Sequence, residues 1–215
     1  MPPHHVIAID GPAASGKSSV AFALAKRLGF SYVNSGAMYR AVTWNVLQRG
    51  VNPHESIAVV AALEQSKIVC ALVDKKSRIV IDGRDPASHL RDANVNCAVS
   101  IVSCIPRVRE ILVARMRECA EADDVVMEGR DIGSVVFPET PFKFYVDALP
   151  EVRVQRRRAE GQRDEIAARD RADSSRAASP LIVAPDAEVI DTSALTIEGV
   201  VKEILRRLKE KGLRN

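Results

Sequence analysis

The segment HVIAIDGPAASGKSSVAFALAKRL, residues 5–28, carries the strongest structural pattern in the chain. Its apolar, β-branched start at residues 6–9 predicts a buried strand. A turn follows, and then an apolar stripe with helical spacing: Val20, Ala21, Leu24 and Leu28. Gly29 is a typical helix end. The segment therefore predicts a strand, a loop and a helix in direct succession.

The loop of this unit matches the pattern G-x-x-x-x-G-K-[ST]. Gly11 and Gly16 lack a Cβ atom, so the loop can adopt positive φ angles and its amides can approach a phosphate. Lys17 can reach the β- and γ-phosphates, and the Ser18 hydroxyl can join the coordination shell of Mg²⁺. The predicted nucleotide-phosphate site, here called the P-loop, comprises Gly11, Pro12, Ala13, Ala14, Ser15, Gly16, Lys17, Ser18 and Ser19.

Composition limits the class of protein. A chain of 215 residues fits one compact α/β domain, and a net charge of +3 does not indicate a general polyanion binder. No apolar run approaches the length of about 18 residues that a membrane span needs, and the start MPPHH has no signal-peptide core. We therefore expect a cytoplasmic protein with neither a membrane nor a nucleic acid as partner.

The four cysteines form no C-x-x-C pair and have no zinc-like spacing with histidine. Cys97 and Cys104 are seven positions apart and would share one face of a helix. We expect reduced thiols packed in the core at these positions.

Along the chain, strand and helix patterns alternate, which predicts a parallel sheet with helices on both faces. Ser35 is the predicted N-cap of a helix over 35–48, and Thr196 that of the last helix. The apolar face of the last helix is Ile197, Val200, Val201, Ile204 and Leu208. The β-rich residues 67–73 and 78–81 break the alternation and predict an inserted antiparallel hairpin with its turn at 74–77.

The P-loop alone leaves several classes open. A Ras-type GTPase would carry an N-K-x-D motif, which is absent, and a motor needs a longer chain. Phosphoryl transfer between two nucleotides needs cations on both sets of phosphates, and guanidinium groups bind phosphate bidentately. Surface ion pairs are the alternative for each of five arginines that lie beside a helix start, a strand end or a polar loop: Arg40, Arg109, Arg130, Arg169 and Arg176.

Six segments in a fixed order resemble bacterial cytidylate kinases: GPAASGKSS, NSGAMYRA, IPRVRE, EGRDIGSVVFP, KFYVDA and RDRADSSRA. The resemblance extends over residues 6–199. It implies an α/β P-loop fold of three layers in one domain, 1–215, with a central parallel sheet. A small antiparallel hairpin subdomain, the nucleoside-monophosphate-binding insert, would lie at about 60–100 and a helical lid at about 150–180. The implied activity is transfer of phosphate from ATP with Mg²⁺ to CMP or dCMP, in pyrimidine metabolism, and the default state is a monomer.

The resemblance also implies roles for individual residues. Arg40 and Arg130 would hold the CMP phosphate near Ser35, and Arg176 would approach the base or the transferred phosphoryl group. Two further sets are implied: Ser100, Arg109 and Asp131 on the cytosine edge, and Arg169 and Asp173 on the ribose. A carboxylate at Asp131 suits the N4 amine of cytosine, which is a hydrogen-bond donor. Arg157 would cover ATP. The catalytic set implied is Lys17, Arg130, Asp131 and Arg176.

The chain departs from the family pattern at two places. The stretch between Arg157 and Arg169 is shorter than the lid of the family, and Arg84 stands where an acidic residue is expected. Glu128, at a strand end, could order a Mg²⁺-bound water or pair with a neighbouring arginine.

Two alternative functions remain. One is a P-loop kinase for another acceptor, such as AMP, UMP or a shikimate-like metabolite. The other is an RNA-binding module that uses the arginine-rich residues 153–176. Acidic residues interleave with these arginines, and no set of aromatic residues for base stacking accompanies them, which disfavours the RNA-binding module.

Overall fold

The computed structural model describes residues 4–159, 170–171, 173–176 and 179–213. Its strands are β1 (Val6–Asp10), β2 (Ser31–Asn34), β3 (Ile68–Val73), β4 (Lys76–Ile81), β5 (Val125–Gly129), β6 (Phe142–Asp147) and β7 (Glu188–Asp191). Its α-helices are α1 (Lys17–Leu28), α2 (Ser35–Gln48), α3 (Ser56–Glu64), α4 (Ala93–Ser103), α5 (Pro106–Ala122), α6 (Pro150–Ala159) and α7 (Ile197–Glu210). A short π-helical turn spans Ile132–Val136.

The strands form one sheet in the order β3-β4-β2-β5-β1-β6-β7. β1 lies in the parallel part of the sheet and pairs with β5 and β6, while β2 pairs with β5 and β7 with β6. The hairpin β3–β4 extends one edge, where β4 joins β2 through the single residue pair Tyr32 and Lys76. The predicted parallel sheet is confirmed, with the antiparallel hairpin at its edge.

Each face of the sheet carries a hydrophobic core, because alternate residues of a strand point to opposite faces. On β1, Val6 and Ala8 pack towards α2, α3, α4 and α5. Ile7 and Ile9 pack on the other face towards α1 and α7. This arrangement confirms the predicted helices on both faces, and it holds the P-loop at the end of a fully buried strand.

The start of α2 differs from the prediction in its capping residue. Asn34 is the N-cap, and its side-chain oxygen accepts the Ala37 amide at 2.9 Å. The Ser35 hydroxyl instead donates to the Glu128 carbonyl at 2.7 Å. The prediction of Ser35 as the cap was wrong because a contact from β5 takes its hydroxyl.

The hairpin turn is shorter than predicted. β4 begins at Lys76, so Asp74 and Lys75 alone form the turn, with φ angles of 49° and 60°. Two consecutive positive φ values are what a two-residue type I′ turn requires. The prediction of a turn over 74–77 was therefore wrong for residues 76 and 77, which belong to β4.

Two predictions of burial were also wrong. Ile197, the first residue of α7, is 50% exposed, since the first helical turn extends beyond the core. Cys97 and Cys104 are exposed. The buried stripe of α4 is formed by Val95, Val99 and Val102, so Cys97 faces away from it, and Cys104 lies beyond the helix end.

None of the helices in the described ranges is long and apolar enough to cross a membrane. The predicted lid at about 150–180 falls on α6, on residues 160–169, which lie outside the described residues, and on the residues after them.

Candidate active site

The P-loop follows β1 directly, and its last three residues, 17–19, form the start of α1. A Cβ atom on Gly11 would lie 2.1 Å from the Val146 carbonyl oxygen, so only glycine fits there. Gly16 has a φ angle of 90° and caps α1. Lys17 is buried, and its Nζ donates to the Pro12 carbonyl at 3.1 Å. A carbonyl of the P-loop itself therefore positions the Lys17 side chain.

Next to the P-loop, Glu128 receives two hydroxyl groups. The Ser18 hydroxyl donates to its carboxylate at 2.8 Å and the Tyr32 hydroxyl at 2.7 Å. Burial and the charge of Glu128 raise the pKa of Tyr32 above its usual range. Because β2, β5 and β1 pair in parallel, these groups lie together near the carboxyl ends of the strands. In the described part of the chain, Glu128 thus contacts hydroxyls rather than an arginine.

A cleft of about 560 Å³ opens beside these groups. It is lined by most of the predicted P-loop residues and by Arg157: Ala13, Ala14, Gly16, Lys17, Ser18, Ser19 and Arg157. Gly11, Pro12 and Ser15 belong to the loop but do not line the cleft. The lining also includes the predicted acceptor residues Ser35, Arg40, Ser100, Arg109, Arg130, Asp131, Asp173 and Arg176. Arg169 lies outside the described residues.

An ion pair between Arg109 and Asp131 lies almost fully buried in the cleft wall, each side chain being 4% exposed. Arg109 also donates to the Ser103 carbonyl at 3.1 Å and lies over the Tyr39 ring, 5.2 Å from its centroid. The guanidinium is therefore held on three sides, and it fixes the Asp131 carboxylate. Burial raises the pKa of Tyr39, so its hydroxyl stays protonated.

A second cluster connects the P-loop to the segment after α6. Arg130 donates to the Gly11 carbonyl at 2.9 Å and to the Asp173 carboxylate at 2.7 Å. Arg176 lies 3.3 Å from the same carboxylate. On the opposite wall, Arg40 of α2 donates to the side chain of Asn96 on α4. Arg40, Arg130 and Arg176 thus border the cleft beside the P-loop, and the last two contact the Asp173 carboxylate there.

Asp10, the residue before Gly11, is a member of the site that was not predicted from the sequence. Its carboxylate accepts the backbone amides of Ile132 at 2.8 Å and Gly133 at 2.7 Å. Burial raises its pKa to about 6. Asp10 therefore ties the end of β1 to the loop that presents Arg130 and Asp131. Its place between a buried strand and the P-loop was the available signal.

Two arginines of α6 that were not among the predicted nucleotide-binding residues also contact the P-loop. Arg153 pairs with Asp170 and donates to the Ala13 carbonyl at 3.3 Å. Arg156 donates to the Ser15 carbonyl at 3.2 Å and to the Thr192 hydroxyl at 2.9 Å. Their spacing of three on a helix was a signal that they share a face.

Comparison with known proteins assigns the family. A model of the family described as cytidylate kinase matches residues 7–210. The chain belongs to the cytidylate kinase family. A cytidylate kinase from Desulforamulus reducens is 44% identical over 95% of this chain and 97% of its own length. One from Pelotomaculum thermopropionicum is 43% identical over 94% and 95%, and one from Geobacillus thermodenitrificans is 42% identical over 95% and 96%.

Similarity to solved structures is weaker. TT1252 from Thermus thermophilus is 21% identical, with coverage of 95% of this chain and 98% of its own and a TM-score of 0.46, and this likeness carries no conclusion about function.

Proposed function

We propose that the protein transfers the γ-phosphoryl group of ATP to CMP, forming ADP and CDP, and that dCMP is a second acceptor. The observation that carries this proposal is one cleft that joins a P-loop to the buried Arg109–Asp131 pair. The P-loop suits a nucleoside triphosphate, and the Arg109–Asp131 pair suits the edge of a base. Membership of the cytidylate kinase family supports it, and no feature favours AMP, UMP or a shikimate-like acceptor.

On the donor side, the P-loop amides and Lys17 bind the β- and γ-phosphates of ATP. The Lys17 Nζ donates to the Pro12 carbonyl within the loop, and it reaches phosphate oxygens instead without a large movement. Arg157, at the cleft wall, covers the triphosphate. Catalysis then consists of positioning and of charge stabilisation, and no covalent enzyme intermediate forms.

On the acceptor side, Arg40 and Arg130 hold the CMP phosphate near Ser35. Asp131 accepts the N4 amine of cytosine, while uracil presents a carbonyl oxygen at that place and is repelled. Ser100 and Arg109 complete the base contacts. Asp173 and Arg169 bind the ribose, and Arg176, close to Asp173, neutralises charge on the transferred group.

The donor atoms beside the P-loop fit Mg²⁺. Ser18 and Glu128 present a hydroxyl and a carboxylate 2.8 Å apart, and oxygen ligands of this kind are those that Mg²⁺ prefers. We propose that Ser18 ligates the ion and that Glu128 binds one of its waters. When bound, the ion neutralises charge on the phosphates of ATP.

We further propose that the enzyme acts as a monomer in the cytoplasm, with ATP and the cytidine monophosphates as its partners and without nucleic acid or membrane. The modest net charge of +3 supports the absence of a nucleic-acid partner.

The test is a coupled assay of ADP release with ATP, Mg²⁺ and one of CMP, dCMP, UMP, AMP or no acceptor. We expect rapid ADP release with CMP and dCMP and at least about tenfold less with UMP and AMP, the discrimination that one hydrogen-bonded contact provides. Comparable rates without an acceptor would mean hydrolysis, and preference for AMP would assign a different acceptor.

A further inference from the structure

Two thiols that the proposed reaction does not use lie against each other where the hairpin packs on α5. Cys70 of β3 and Cys119 of α5 are 49 positions apart in sequence, and their Sγ atoms are 3.2 Å apart. A disulfide needs about 2.05 Å between the sulfurs, so a shift of roughly 1 Å would join them.

Packing holds this pair in place. Cys119 and Met116 of α5 lie in one apolar cluster with Ile68 and Ile79 of the hairpin, and Cys70 packs against it. Cys119 is 3% exposed, whereas Cys70 is half-buried on an edge strand. A small oxidant from solvent therefore reaches Cys70 first, with Cys119 directly behind it.

The hydrogen bond between the thiols makes them chemically unequal. It lowers the pKa of Cys70 and, together with burial, raises the pKa of Cys119. Because the thiolate is the nucleophile, Cys70 is the thiol that attacks an oxidant and Cys119 the one that resolves the product.

We propose that Cys70 and Cys119 form an oxidation site at which hydrogen peroxide produces a disulfide between β3 and α5. The Cys70 thiolate attacks the peroxide oxygen, the O–O bond breaks, and Cys70 becomes a sulfenic acid while hydroxide leaves and is protonated to water. The Cys119 sulfur then attacks the Cys70 sulfur, forming the S–S bond and releasing a second water. Two thiols are oxidised and one peroxide is reduced to two waters.

This bond would enclose a segment that contributes some of the residues on the acceptor side of the cleft. The closed loop contains α4 and the first turns of α5, which carry Asn96, Ser100 and Arg109. A link over such a loop restricts the unfolded chain and thereby stabilises the folded one. Neither the oxidation nor this stabilisation depends on which nucleotide the enzyme phosphorylates.

The test uses two full-length variants that remove the exposed thiols. Cys97→Ser/Cys104→Ser retains the pair, and Cys70→Ser/Cys97→Ser/Cys104→Ser is the matched control. Each is treated with hydrogen peroxide at about an equimolar amount and analysed by intact mass and by peptide mapping without reductant.

We expect the first variant to lose two hydrogen atoms and to yield a linked Cys70–Cys119 peptide, independently of protein concentration and reversibly with dithiothreitol. Its Tm should rise by about 3–10 °C on oxidation. The control should form no internal link. Formation of a sulfinic acid at Cys70 without a link, or of links between molecules only, would overturn the proposal.

Discussion

Asp131 and Arg109 are buried together in the wall of a polar cleft, and such a pair is costly unless each charge is compensated. Here Arg109 has the Ser103 carbonyl and the Tyr39 ring as further partners. A carboxylate held in this way keeps its orientation before any ligand binds. At the scale of single residues, this pair is the main basis for the proposed selectivity towards cytosine.

Asp131→Asn should lower kcat/KM for CMP by about 100-fold, because a charge-assisted contact of this kind is worth roughly 2–3 kcal/mol. The KM for ATP should change less than about threefold, the amide being nearly isosteric. Steady-state kinetics with each substrate varied in turn provide the measurement. Asp74→Asn, in the hairpin turn outside the cleft, is the control. Unchanged CMP kinetics in Asp131→Asn would remove Asp131 from the acceptor site.

Lys17→Ala should reduce kcat by about 10²–10³-fold, because it removes a preorganised cation from the transferred phosphoryl group. Circular dichroism should show an intact fold. Lys26→Ala, on the exposed end of the same helix, should retain full activity. Near-normal turnover by Lys17→Ala would contradict the donor site described above.

Asp10 predicts a specific pH dependence of stability. Its folded-state pKa of about 6 lies above the ordinary value of 3.8, so the folded protein binds this proton more tightly than the unfolded chain. The contribution of Asp10 to the free energy of unfolding is therefore present at low pH and decreases as the pH rises from about 4 through 6. The difference between these two pKa values corresponds to up to about 3 kcal/mol.

Urea denaturation of the wild type and of Asp10→Asn between pH 4 and pH 7 measures this contribution. Relative to Asp10→Asn, the wild type should have a free energy of unfolding that decreases as the pH rises. Parallel pH profiles would show that Asp10 is not protonated in the folded state in this range.

At the scale of elements, the sequence predicted most helices and strands closely, because strong periodicity and clear caps determine them. The bounds of α2 are those predicted, and the Thr196 side chain caps α7 as expected, accepting the Gly199 amide at 3.1 Å. Two of the errors occurred where the tertiary structure, rather than the local sequence, decides the outcome. The Glu128 carbonyl accepts the Ser35 hydroxyl, and Cys97 is exposed because it lies away from the buried face of α4.

Thr196→Ala tests the contribution of one such cap. Loss of the side-chain acceptor should cost about 1 kcal/mol and lower Tm by about 2–4 °C. Since α7 packs on α1 away from the cleft lining, kcat should be unchanged. Thr196→Ser retains the oxygen and should be near wild type in calorimetry. Equal stability of both variants would show that the hydroxyl does not support α7.

At the scale of the whole molecule, the site forms because the carboxyl ends of the parallel strands lie side by side at the same end of the sheet. Asp10 of β1, Asn34 of β2 and Gly129 of β5 are the last residues of their strands, and the P-loop, Arg40, Arg130 and Asp131 follow them. Motif order and resemblance were therefore sufficient to predict which segments meet. The contacts of Arg153 and Arg156 with P-loop carbonyls were not predictable, since they depend on how α6 lies against the loop.

The most direct test of the central claim follows the phosphoryl group itself. ATP labelled in its γ-phosphate is incubated with the enzyme, Mg²⁺ and CMP, and the products are separated by ion-exchange chromatography. Phosphoryl transfer in a site that excludes water predicts the label in CDP, in an amount equal to the ADP formed, with little inorganic phosphate. Label recovered mainly as inorganic phosphate would contradict the account, because water rather than CMP would then be the acceptor.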